Sequence, residues 1–276
     1  MIIFLKKLTF FFEKKILRLL INLIIQRKRV NSDAKVFGSK INSWKIFPKY
    51  INNDAVLFSC GSGEDITFEI ELINKFNLHC FLIDPTPKAK DYYLKLIGNL
   101  GKTKTKEYNY LGSQPIETYN LKDFKKNKIK FIEKAVSDKT EKDIKFYKPK
   151  IKNHISHSLI INPNINLNKE FILVDTVKLK DLMEDNKITK IDILKLDIEG
   201  VECKVLNDLL QSKIFPKQIC VEFESLDYLS YEKYKEIILT FSNLLNNGYE
   251  CFCNKFITNK NYLGDSGENY IFLRVN

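Results

Sequence analysis

Apolar residues in this chain follow two rhythms. Short runs rich in β-branched and aromatic side chains, bounded by turn residues, predict strands at 55–58, 79–83, 130–136, 144–147, 171–174, 191–196 and 218–221. Between them, helical spacing sets Ile66, Ile70 and Ile73 on one face, and the same period predicts helices over 88–100, 179–185, 201–210 and 231–245. Residues 36–50, with Trp44 and Pro48, form an entry segment whose aromatic packs on the sheet, and the Lys-, Thr-, Gly- and Ser-containing stretch 102–119 predicts a loop. Strands alternating with helices predict an α/β fold: a mostly parallel sheet with right-handed crossovers, helices on both faces, and a closing antiparallel hairpin from 249–253 and 270–275.

The chemistry concentrates at the strand ends. The first strand runs into Ser59-Cys60-Gly61-Ser62-Gly63-Glu64-Asp65, and the second ends on Asp84-Pro85. Strand, glycine turn, helix and strand-end carboxylate make the nucleoside-binding half of a Rossmann-like sheet. Glycines let backbone N–H groups approach a ligand, and the helix start behind them favours a carboxylate or phosphate. Asp84 can accept two hydrogen bonds from a ribose diol, which predicts an adenosine-type ligand. The dinucleotide fingerprint calls for a third glycine where this chain has Ile66, which favours S-adenosylmethionine over NAD.

A second group of acids lies at later strand ends. The apolar run 191–196, interrupted by Asp192 and Lys195, leads into Asp197-Ile198-Glu199-Gly200-Val201-Glu202, and the run 218–221 leads into Glu222-Phe223-Glu224. Ligands of open α/β sheets bind at the carboxyl ends of strands, so Asp197 and Glu199 are expected to face the same pocket as Gly61 and Asp84. Asp197, Glu199, Glu222 and Glu224 are also the weaker candidates for holding a hard cation such as Mg²⁺.

These segments resemble the FkbM-type S-adenosylmethionine-dependent methyltransferases. The matching pieces are residues 58–69, 83–87, 154–158 (His154-Ile155-Ser156-His157-Ser158), 192–202 and 220–224, in that order. The resemblance implies a class I methyltransferase fold over 36–276 and methyl transfer to a hydroxyl of a sugar or glycan-type acceptor. It implies cofactor contacts from Ser59, Cys60, Gly61, Gly63, Asp65, Asp84, Pro85, Ser137, Asp138 and Asp197. Cys60 departs from the family, where Gly or Ala is usual. Among candidate bases, His157 has an unperturbed pKa suited to accepting the hydroxyl proton, and Asp197 is the second candidate. A non-catalytic nucleoside- or glycan-binding protein of the same fold is the alternative.

With 276 residues, 44% of them apolar, the chain can bury one full core. Its six cysteines fall in or beside predicted strands and helices, which suits small buried hydrophobes in a reducing compartment and not a disulfide or zinc framework. The net charge of +11 is uneven: eight Lys and Arg against Glu13 give residues 1–30 a net +7, leaving +4 for the rest. Interleaved Phe, Leu and Ile make 1–35 a basic amphipathic arm, too interrupted to span a bilayer or to serve as a signal peptide. Two expectations stand for it, an anionic membrane surface on the cytoplasmic face or packing on protein. The lysine runs at 102–106 and 122–130 lack the interleaved aromatics and arginines of a nucleic-acid surface, so no nucleic-acid partner is expected.

Overall fold

The computed structural model describes residues 33–40, 42–110, 112–149, 157–161, 170–223, 231–253 and 268–275, with Ile16 and Leu19. An antiparallel hairpin, β1 (Lys35–Gly38) with β2 (Ser43–Ile46), opens the domain. Then follow β3 (Val56–Cys60), α1 (Thr67–Phe76), β4 (His79–Ile83), α2 (Pro87–Ile97), β5 (Ile129–Ile132) and the two-residue β6 (Ala135–Val136). Next come β7 (Ile144–Tyr147), β8 (Phe171–Val174), β9 (Thr176–Val177), α3 (Leu179–Asp185), β10 (Ile193–Leu196) and α4 (Glu202–Gln211). The chain closes with β11 (Gln218–Phe223), α5 (Tyr231–Asn246), β12 (Tyr249–Cys253) and β13 (Glu268–Arg274).

Seven strands form the central sheet in the order β12-β13-β11-β10-β3-β4-β5. Strands β11, β10, β3, β4 and β5 pair in parallel, and β13 runs antiparallel to both of its neighbours. Chain order reverses between β3 and β10, the switch point where α/β sheets open a ligand crevice.

Burial on both faces explains why these strands are continuously apolar. Side chains alternate along β3 and β10: Phe58, Cys60, Leu194 and Leu196 join the core beneath α3, α4 and α5. Leu57 and Ile193 join the other core, with Trp44 and the buried faces of α1 and α2. By the same period, Ser59 and Lys195 face α1. The first helix ends at Asn77, whose left-handed backbone (φ 53°) lets its N–H close on Ile73 O. For α2, the Thr86 side chain caps the start and Pro87 takes the first turn.

Several boundaries differ from expectation. The run 130–136 splits, since after Ile132 the chain leaves the sheet and Ala135 and Val136 pair in parallel with β9. Two-residue strands are too short to show a period, so β9 leaves no pattern in the sequence. Asp192 precedes its strand: its carboxylate accepts from Val56 N at 2.9 Å and lies 2.8 Å from Lys190 Nζ. Conversely, β11 runs through Glu222, which pairs with Asn269 inside the sheet and is not a strand end. Trp44 is 1% exposed and packs in the core, as expected. Cys60, Cys80, Cys203, Cys220 and Cys251 are free and buried.

Candidate active site

Three strand ends meet at the glycine turn. Gly61 N donates to Ile83 O at 3.0 Å and Asp197 N donates to Cys60 O at 3.1 Å, tying the ends of β3, β4 and β10 together. Gly61 has a φ of +79°, and a Cβ there would lie 1.8 Å from Asp197 O. Only glycine permits this approach. The turn's N–H groups do hold a carboxylate, and it is the chain's own. Asp84 Oδ2 accepts from Ser62 N and Gly63 N, both at 3.0 Å, and more loosely from Ser62 Oγ at 3.5 Å. Its Oδ1 accepts from Thr86 N at 2.8 Å and Thr86 Oγ1 at 2.6 Å. Pro85 sits half-buried between them.

The turn is braced from outside as well. Gln114, on the 101–119 loop, donates its N–H to Glu64 O at 3.0 Å. Tyr119 OH accepts from Ile66 N at 3.1 Å and shares a 2.7 Å hydrogen bond with Tyr92 OH. Asp65 accepts from Ser39 Oγ at 2.6 Å and Thr67 Oγ1 at 2.7 Å, so its carboxylate anchors the β1–β2 connection to α1. Burial pushes the Asp65 carboxyl above its usual value, opposed by those hydrogen bonds.

Beneath the turn lies a buried charged group that the sequence only hinted at. Lys195 and Glu69 have fully buried side chains, with Nζ 3.7 Å from Oε1. Lys195 Nζ donates to Gly61 O at 2.8 Å and stands 3.9 Å from Asp197 Oδ2. Ser59 Oγ donates to Glu69 Oε1 at 2.5 Å, while Glu69 Oε2 has no partner among the described residues. Burial alone would lower the Lys195 pKa, but Glu69, Asp197 and Asp65 outweigh it and hold the amine protonated. Burial raises the Glu69 carboxyl, with Lys195 pulling it back. The signal was a charge on the apolar face of a predicted helix (Glu69) and another inside a predicted strand (Lys195).

The turn after β10 is pinned from three directions. Glu199 adopts a left-handed φ of 58°, and Glu202 accepts from Gly200 N at 2.9 Å. Lys233 Nζ donates to Gly200 O at 2.6 Å. Ser158 Oγ donates to Glu199 O at 2.6 Å, which brings the His157–Ser158 segment onto this turn. The His157 ring stacks on Phe146 at 5.5 Å. Asp197 keeps 32% of its side chain exposed at the crevice.

Other expected residues are placed differently. The Ser59 and Cys60 side chains are wholly buried within β3, and burial drives the Cys60 thiol pKa far up. These two residues present only backbone at the strand end. Ser137 and Asp138 follow β6 off the central sheet, with Ser137 N bonded to Val177 O at 3.0 Å and Ser137 Oγ to Asp138 Oδ1 at 3.1 Å. His154 and Glu224 lie outside the described residues. Among the described residues, no group of three or more His, Cys, Asp or Glu is arranged to hold a metal ion.

Sheet order, switch-point crevice and strand-end carboxylate define a class I methyltransferase-type Rossmann-like fold. A family model described as the methyltransferase FkbM domain matches residues 34–251, and the chain belongs to that family. No curated protein matches the chain. Solved structures similar to it include precorrin-6y C5,15-methyltransferase from Geobacter metallireducens GS-15, at 10% identity over 81% of each chain with a TM-score of 0.40. A putative rRNA methylase from Clostridium thermocellum is 9% identical over 83% of this chain and 90% of its own, with a TM-score of 0.42. An antibiotic-related methyltransferase is 14% identical over 82% and 90%, with a TM-score of 0.32.

Proposed function

We propose that this methyltransferase uses S-adenosylmethionine to methylate a hydroxyl oxygen of a sugar or glycan-type acceptor. The observation that carries the cofactor assignment is the charge at the turn. The Ser62 and Gly63 N–H donors are already taken by Asp84, whose carboxylate lies at the turn, and three further carboxyls (Glu69, Asp197 and Asp65) act on the buried ammonium of Lys195. A cradle with spent donors and surplus negative charge suits a sulfonium cation and repels the pyrophosphate of NAD. S-adenosylmethionine supplies an electrophilic methyl group. A carboxylate offers about four acceptor sites, and four close donors already fill those of Asp84, so a ribose hydroxyl binds Asp84 by displacing a side-chain hydroxyl, the Thr86 Oγ1 donor on Oδ1 or the loose Ser62 Oγ contact on Oδ2.

Displacement of the methyl group by a hydroxyl needs alignment and an acceptor for the hydroxyl proton. His157, next to the Ser158 that bonds the turn after β10, fills that role, and Asp197 is the second candidate. Polyhydroxylated acceptors suit the acidic rim of Asp197 and Glu199, and the family resemblance supports a sugar. Calorimetry of the full chain is expected to show S-adenosylmethionine binding and no NAD binding. The reverse order would overturn the cofactor assignment. Binding without any methylated product from candidate sugar nucleotides or lipid-linked glycans would favour a non-catalytic binding protein.

A further inference from the structure

At the opposite pole, the amino ends of β3, β10 and β11 frame an open cleft of about 460 Å³. Lys49, Tyr50, Lys190, Phe215, Lys217 and Arg274 line it. Lys49 and Lys190 are paired with Asp33 and Asp192. Lys217 and Arg274 have no carboxylate partner among the described residues. Both are held in place without one: Lys217 Nζ caps Arg274 O and lies 4.9 Å over the Tyr50 ring. The Arg274 guanidinium stacks 4.0 Å over Phe215, and its buried Nε has no hydrogen-bond partner. Two oriented, uncompensated cations over aromatic faces make a site for an anion, phosphate above all.

The chain also enters the fold here. Asp33 is bonded to Lys49 at 2.9 Å, and Ala34 packs beside Phe47 and Tyr50. The 32 residues before it carry the +7 arm. Its two described members, Ile16 and Leu19, are helical, one turn apart, and leave 57% and 58% of their surface exposed. Exposed apolar side chains among basic ones suit the headgroup region of an anionic bilayer. Among the described residues no helix is long and apolar enough to cross a membrane.

We infer that this cleft is a second binding site, for the phosphate headgroups of an anionic lipid surface. The strand carboxyl ends, and the methyl-transfer crevice, then face away from the bilayer toward the aqueous phase. This inference is independent of the cofactor assignment.

The test uses the full chain and vesicles of phosphatidylcholine containing about one third phosphatidylglycerol, at 0.1 M salt. Each basic residue near such a surface is worth roughly fivefold in partitioning. Lys217→Gln with Arg274→Gln is therefore expected to weaken vesicle binding at least tenfold. Lys102→Gln with Lys106→Gln, on the loop bonded to the glycine turn, is expected to change it less than twofold, because those charges lie beyond the screening length of about 10 Å. If the first pair unfolds the protein, Lys49→Gln with Lys190→Gln, both more than half exposed, replaces it with the same expectation. Equal losses in cleft and loop variants, or no vesicle binding by the parent chain, would overturn the inference. Pyrophosphate that binds the cleft while vesicles are ignored would assign it to a soluble anion instead. S-adenosylmethionine affinity, measured in parallel, is expected to be unchanged in the cleft variants, which separates this outcome from failure of the cofactor assignment.

Discussion

At the scale of single residues, the crevice depends on side chains whose places are set by neighbours far along the chain. His157 is oriented by stacking on Phe146 and by the bond from Ser158 Oγ to Glu199 O. If it accepts the hydroxyl proton, His157→Ala lowers turnover by roughly 10²–10⁴ and leaves S-adenosylmethionine affinity within about twofold. Steady-state kinetics paired with calorimetry checks both halves. Retained turnover would move the role to Asp197.

At the scale of elements, β10 shows how a strand's period of two delivers chemistry. Ile193 and Lys195 face α1, while Leu194 and Leu196 face the other core. A lysine on that face meets Glu69 of α1 and the Gly61 carbonyl at once. Removing one partner of a buried ion pair leaves an uncompensated charge and costs about 3–5 kcal/mol. Lys195→Met is expected to destabilise the fold by that amount in urea unfolding. Lys195→Met with Glu69→Leu is expected to recover most of it, because no charge is then stranded. The double variant still binds S-adenosylmethionine more weakly than the parent, since Gly61 O and Asp197 have lost their anchor. A loss below about 1 kcal/mol in the single variant would show that the pair does not hold the turn.

For the whole molecule, the two-sided core imposes a pH dependence. Burial raises the thiol pKa of Cys60 and Cys80 far above the usual 9.0, and those of Cys203 and Cys220 to about 12. Above pH 9 the unfolded chain gives up these thiol protons while the folded chain keeps them. Unfolding then releases protons, so stability falls with rising pH, each thiol contributing about 1.4 kcal/mol per unit. Lys195, with its pKa held above 10.5 by Glu69 and Asp197 against burial, adds a loss only beyond that point. Urea midpoints are expected to be level between pH 7 and 8 and to drop steadily from 9 to 10.5. A level profile through 10.5 would contradict the burial of these groups.

Read by itself, the sequence determined what depends on local spacing. Runs of period two and 3.6 placed most strands and helices along the chain; His79–Ile83, Ile144–Tyr147 and Leu179–Asp185 fall where the pattern sets them. Glycines and strand-end acids marked Gly61, Asp84 and Asp197 because each depends on a turn beside its own strand. Tertiary structure decided what those groups touch. Asp84 turns inward to Ser62, Gly63 and Thr86, and Cys60 faces the core. The chain leaves the sheet after Ile132, and Lys195 reaches Gly61 across 134 positions. Periodicity tells which face a side chain takes but not which distant element lies opposite. Only the pairing of β3 with β10 and the packing of α1 over both brought Lys195 and Glu69 together beneath the turn.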